Sequence, residues 1–207
     1  MRGTLAILGL TVIVACLSFP RSAAASHIYV SPTAGVWHWD DDAYPDIQFD
    51  KGWAFVYGAR AGYAFTQAFS AELVVLTGTN EASFAIQLPP SPSESLRLTE
   101  LDLSLLVHFQ SLTSNKIYPF LDLGAGMAIR KGGPGSLDDQ HTAFHLGGGI
   151  MYVLNSRFAI RTNVRDTFFT DKRGGGNLTE QFTVDSLELS LGVEFRIPTG
   201  QKGSRPE

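Results

Sequence analysis

The polar residues that could do chemistry in this chain sit on every second position. Asp102, Ser104 and His108 alternate with leucines and a valine, so a strand would put all three on one face. An acid, a hydroxyl and an imidazole are the parts of a nucleophilic catalyst, provided that base and nucleophile come within hydrogen-bond reach. His141 and His145 share a face of another run, with Asp138 and Asp139 close in sequence. These are metal-ligand types, but no third ligand is fixed by spacing. Asp40-Asp41-Asp42 would attract cations or simply form a solvated loop tip. The glycines in Gly124-Ala125-Gly126 and Gly147-Gly148-Gly149 lack the following helix that a phosphate-binding loop requires.

The larger constellation is one of charge. Arg60, Glu72, Glu100, Asp102, His108, Asp122, Arg161, Arg165, Glu188, Glu194 and Arg196 all occupy the polar face of runs whose other face is apolar. The arginines Arg60, Arg161 and Arg165 have natural partners in Glu72, Glu100, Asp102, Asp122 and Glu188. A charge removed from water is costly unless paired, so these eight residues are expected to form one salt-bridged network inside the molecule. The alternative is a narrow path for ions or solutes lined by the same charges.

The elements that must position this set are strands. Eight runs alternate with period two. They begin at His27–Trp39, Trp53–Phe65 and Phe69–Gly78, continue through Glu100–Phe109, Phe120–Ile129 and Phe144–Leu154, and end with Phe158–Phe168 and Leu187–Ile197. Three links are tight or short (66–68, 111–116, 155–156). Four are long and rich in Gly, Pro, Ser or Asp: 40–51, 80–95, 130–141 and 170–183. Tyr63, Phe65, Phe69, Phe109, Tyr118, Tyr152, Phe158 and Phe195 flank the short links or the C-terminal end, where an interfacial aromatic girdle belongs. Apolar outside and charged inside is the reverse of a soluble sandwich. It is the pattern of an all-β, eight-stranded antiparallel transmembrane β-barrel with short periplasmic turns and long extracellular loops. A soluble lipocalin-like barrel would instead need an apolar lumen, which Arg60, Glu72 and Glu188 oppose.

Length and composition agree. The 207 residues suit one domain, and the formal charge of −4 lacks the basic excess that binding to nucleic acid would need. Residues 1–25 read as a secretory signal, with Arg2, an apolar Leu5–Leu17 and the small residues Ala23-Ala24-Ala25. Its removal would take away Arg2 and Arg21 and carry the charge from −4 to −6. The one cysteine, Cys16, lies within this segment, where Ile13–Cys16 also resembles a lipoprotein cleavage box. Cleavage before Ser26 would leave no thiol and no disulfide. The barrel domain is then 26–197, with a flexible periplasmic tail over 198–207. No later apolar run reaches the ~18 residues of a spanning helix.

The segment Pro119-Phe120-Leu121-Asp122-Leu123-Gly124-Ala125-Gly126 resembles the fifth strand of small OmpA-like outer-membrane β-barrels. His145-Leu146-Gly147-Gly148-Gly149-Ile150-Met151-Tyr152 is similar to the glycine-rich strand that follows it, and Phe158-Ala159-Ile160-Arg161 to Arg165 to the next one. Ser190-Leu191-Gly192-Val193-Glu194-Phe195 resembles the closing strand, whose terminal aromatic is an assembly signal in that family. Two features depart from the pattern: Phe195 is not terminal, and no peptidoglycan-binding domain follows. The resemblance implies insertion into a bacterial outer membrane by the assembly machinery, with contacts to lipid and lipopolysaccharide. Members include structural proteins, adhesins and narrow channels, so membership alone does not name an activity. The expectation is a structural or surface-interaction protein, not an enzyme, with no cofactor, no metal and an extracellular ligand reached through the loops. The rivals are a narrow channel or transporter for small or hydrophobic solutes and a lipid-modifying enzyme of the outer membrane.

Overall fold

The computed structural model describes residues 27–39, 47–49, 52–84, 94–109, 116–132, 139–173 and 180–199. Residues 1–25, Asp40–Asp42 and nearly all of the tail lie outside these. The described chain forms nine strands: β1 (His27–Trp39), β2 (Ile47–Phe49), β3 (Trp53–Ala64), β4 (Phe69–Phe84), β5 (Glu94–His108), β6 (Ile117–Gly132), β7 (Asp139–Val153), β8 (Phe158–Arg173) and β9 (Glu180–Pro198). Eight of them close into a barrel by antiparallel pairing of sequential neighbours, with β1 meeting β9 to seal the circle. The short β2 pairs only with the upper end of β4.

The register fixes the size of the barrel. Following paired residues from Trp37 on β1, the path runs through Glu188, Arg165, Gly147, Asp122, Leu106, Ser70 and Ala64. It returns to β1 at His27, ten residues lower. With a rise of ~3.3 Å per residue and strands ~4.8 Å apart, a stagger of ten over eight strands tilts them by about 41°. The backbone cylinder then has a radius of about 8 Å, which side chains alone can fill.

The outer surface is the apolar one. Phe55, Leu103, Phe144, Leu146, Leu191 and Ile197 are each more than half exposed, although they are large and hydrophobic. On β9 the outward apolar row runs from Leu187 to Ile197, about 33 Å along the strand and about 25 Å along the barrel axis. That is the height of an outer-membrane hydrocarbon band. Among the described residues no helix is long and apolar enough to cross a membrane; the strands do the crossing.

Two short links are held by their own side chains. Thr66 Oγ1 accepts the amides of Ala68 and Phe69 at 3.1 and 3.0 Å. Asn155 Oδ1 accepts those of Arg157 and Phe158 at 2.8 and 3.0 Å. Local side-chain acceptors of this kind let the chain reverse without losing backbone bonds.

The opposite end differs from the sequence expectation. The segments read as loops 40–51, 80–95, 130–141 and 170–183 are partly strand: β4 runs on to Phe84, β5 starts at Glu94, β6 and β7 reach Gly132 and Asp139, and β8 and β9 reach Arg173 and Glu180. Within 40–51, β2 forms. The hairpins continue above the apolar band, where neither face is buried in lipid. Backbone pairing persists there after the outward apolar row has ended. At the other boundary β9 and its pairing with His27 extend to Pro198, one residue past the expected domain end. Tyr118 also departs from its expected place in the girdle. It lies on the inward side of β6 and packs on the buried cluster of Leu106, Phe120, Met151 and Ala159. Tyr63, Phe65, Phe109, Tyr152, Phe158 and Phe195 are exposed at the short-link end as expected.

Arginine in place of Leu103 or Val75, both outward near mid-height, is expected to cost about 2–4 kcal/mol of membrane stability. Heat-modifiable gel mobility after refolding into lipid vesicles checks this; normal folding of both variants would mean that the faces are reversed.

Candidate functional site

The eight charged residues expected inside are all brought together in the lumen, and each is almost wholly buried. Arg60 on β3 reaches down to Glu72 on β4 (3.3 Å) and across to Glu188 on β9 (2.7 Å), with Asp122 of β6 at 3.9 Å. Glu72 turns its second oxygen to Arg161 of β8 at 2.5 Å. Arg161 also donates from Nε to Asn163 (2.8 Å) and lies 4.4 Å above the Phe120 ring. Arg165 donates to Glu100 and, at 3.0 Å, to Asp102. Its Nε stands 2.9 Å from Glu188 Oε2, close as an ion pair but out of line for a hydrogen bond. Glu188 thus joins the two halves, and Ser190 donates to its other oxygen at 2.5 Å.

Alternation explains why these side chains meet. Arg161, Asn163 and Arg165 are successive inward positions of β8, and Glu100, Asp102 and Ser104 are successive inward positions of β5 across the lumen. Two inward glycines make room for large neighbours. A Cβ at Gly62 would collide with the Tyr29 ring, and one at Gly124 would sit 2.6 Å from His145 Cε1.

His145, which the sequence pairs with His141, is part of the network in the structure. Its Nε2 is 3.3 Å from Asp122 Oδ1, and its Nδ1 is 3.7 Å from Asp102 Oδ2. Its position on the polar face of β7 is the signal in the sequence that places it inside. The expected grouping of Ser104 with His108 does not form. Ser104 instead contacts His145 Nε2 at 2.9 Å, and His108 contacts Ser70 Oγ at 2.9 Å. Both pairs are inside the barrel. Ser104 and Ser70 are essentially inaccessible, which keeps a lipid carbonyl from either hydroxyl. Among the described residues no group of His, Cys, Asp or Glu has the geometry of a metal site.

The sequence expectation of a charged interior is too simple in one respect: the lumen is layered. Below the charges lie Leu106, Phe120, Met151 and Ala159, with Tyr118 and Val153 packed on them. Above them, further up the same strands, lie Trp37, Ala54, Val56, Leu98, Ala128 and Ala143, all at most 4% exposed, with the buried polar residues Thr167 and Ser186 one inward step above Arg165 and Glu188 and with Arg130 paired to Leu98. The charges are therefore sealed from water at both ends. Beneath the lower layer a vestibule of about 220 Å³ opens at the short-link end, lined in part by Tyr29, His108, Met151, Glu194 and Arg196. Glu194 and Arg196, also expected inside, pair there with each other at 2.6 Å, apart from the main network.

The family model described as outer membrane protein beta-barrel domain matches residues 9–195. Among solved structures, the outer membrane protein OprG of Pseudomonas aeruginosa is similar with a TM-score of 0.57 at 15% identity, over 85% of this chain and 97% of that one. A major outer membrane protein from Thermus thermophilus gives 0.55 at 15% identity, over 84% of this chain and 100% of that one. Neisserial surface protein A gives 0.52 at 16% identity, with coverage of 84% and 100%. No curated protein is significantly similar. At these identities the likeness is one of fold.

Arg165→Met would leave Glu100, Asp102 and part of Glu188 without a cation, and is expected to cost about 3–5 kcal/mol. Urea unfolding in lipid vesicles measures it. Arg60→Ala combined with Glu72→Ala is expected to be less damaging than the sum of the two, by at least ~0.5 kcal/mol. The rescue stays incomplete because Glu72 also serves Arg161. Strict additivity would show that the pair is not coupled.

Proposed function

The chain belongs to the outer membrane β-barrel protein family, and from that premise we propose that it acts in the bacterial outer membrane as a structural or surface-interaction protein whose interior is a permanent plug. The observation that carries this reading is the buried network between a lower apolar layer and a largely apolar upper one. Arg60, Arg165, Glu100, Asp122 and Glu188 are 0% exposed. An ion crossing the lumen would have to displace both layers and then break paired charges in a medium of low dielectric. A non-enzymatic role is supported by the burial of both serine–histidine pairs.

The interaction surface in this reading is the extended ends of the hairpins, which rise above the apolar band and carry the segments between 84 and 94, 132 and 139, and 173 and 180. Outer-membrane lipid and the assembly machinery are the further partners. For the second, the closing strand offers Phe195, 43% exposed and packed edge-to-face on Phe158 at 5.2 Å.

Planar-bilayer recording of the purified, refolded protein tests the plug. No unitary conductance is expected at ordinary salt and voltage. Discrete, reproducible channel steps would overturn the reading in favour of the narrow-channel alternative.

A further inference from the structure

Outside the barrel, just above the apolar band, Arg97 of β5 and Lys131 of β6 are direct cross-strand partners. Both are exposed, and both alternate with buried inward neighbours, Leu96 and Leu98 on one strand and Arg130 on the other. They therefore point outward side by side. Like charges placed directly opposite on a sheet repel. Neither residue has a carboxylate within ion-pair distance among the described residues. An anion seated between the two would relieve that repulsion.

Their height says which anion. Below them, Leu101 on β5 and Ile129 on β6 are the last apolar outward side chains, separated from Arg97 by Thr99. Thr79 of β4 is the partner of Arg97 on its other side, and one step below it Thr77 and Thr99 bond through their hydroxyls at 3.1 Å. A polar ledge of hydroxyls and two cations thus crowns an apolar wall made by the same strands. It lies at the long-link end, which faces the outer leaflet in this architecture. Among the described residues, Glu81 of β4 is an exposed outward carboxylate one step above Thr79, diagonal to Arg97 and outside ion-pair distance of it, while Asp166 and Asp185 lie on β8 and β9, away from this ledge.

We propose that Arg97 and Lys131 form a clamp for the phosphate group of an outer-leaflet lipid, whose acyl chains lie against Leu101, Leu103 and Ile129 below. A planar guanidinium and an ammonium together match the several oxygens of a phosphate, the first by paired donors and the second as a point charge. The hydroxyl of Thr79 is placed to add a neutral donor.

The test uses the full refolded barrel, with bisphosphorylated lipid A as probe and native mass spectrometry from neutral detergent as readout. R97Q/K131Q is expected to lower lipid A retention at least fivefold. K116Q/R157Q, which removes the same charge at the short-link end, is expected to leave it unchanged. Thermal unfolding adds a signature that simple loss of fold cannot mimic. K131Q should raise or preserve the melting temperature in neutral detergent, where repulsion is unrelieved, and lower it once lipid A is present. Unchanged retention in R97Q/K131Q, or equal loss in both double variants, would overturn the proposal. Displacement of lipid A by millimolar inorganic phosphate, with dephosphorylated lipid retained equally well, would show a free-phosphate site and overturn the lipid assignment.

Discussion

The hydrocarbon of a membrane offers no hydrogen-bond partner, so a strand that enters it must have both edges paired. Closure of β1 onto β9 meets that demand, and the rest of the architecture depends on it. Closure over eight strands with a stagger of ten sets the tilt and the radius, and the radius sets how much side-chain volume the lumen holds. Alternation then assigns every residue to lipid or lumen. A closed barrel leaves no edge on which to adjust that choice; a one-residue slip would send Arg60 and Glu72 into lipid and Leu73 into the lumen.

Within the lumen, packing and electrostatics are linked. Charges deprived of water need partners on several sides, and the narrow cylinder supplies them because opposite walls are within one arginine's reach. Arg161 spans from β8 to Glu72 of β4, and Arg165 from β8 to Glu100 of β5. Cross-lumen pairs of this kind tie together strands that share no backbone bonds. A buried pair need not add net stability over an apolar replacement. What it adds here is a single arrangement, since each guanidinium has only one set of carboxylates in range.

The fold was legible in the sequence because lipid imposes a strict rule on the outer face, as in Leu101, Leu103 and Leu105, and because short and long links alternate. The eight network residues were legible for the same reason. What escaped obeys weaker rules. The strand extension at 94–99 alternates in the reverse sense, with Leu96 and Leu98 inward and Arg97 and Thr99 outward, so the lipid rule does not mark it although pairing continues. Val74, Leu76 and Trp37 share the inward face with the charges, and together with Ala54 and Leu98 they belong to a largely apolar layer. That layer is assembled from strands distant in sequence, so no local window contains it. The partner of Ser104 was also invisible in one dimension, because His145 reaches it over the bare backbone of Gly124 on the strand between.

That last arrangement bears on how the inner wall can change over evolutionary time. Tyr29 lies over Gly62, and His145 lies over Gly124, each large ring occupying the space that its neighbour leaves empty. A side chain gained at either glycine has nowhere to go unless the ring beside it shrinks in the same lineage. Substitutions in the lumen should therefore arrive as compensated couples on adjacent strands, while the lipid face drifts one residue at a time among apolar types. Two surfaces of the same strands, only a side chain apart, would then keep different evolutionary clocks.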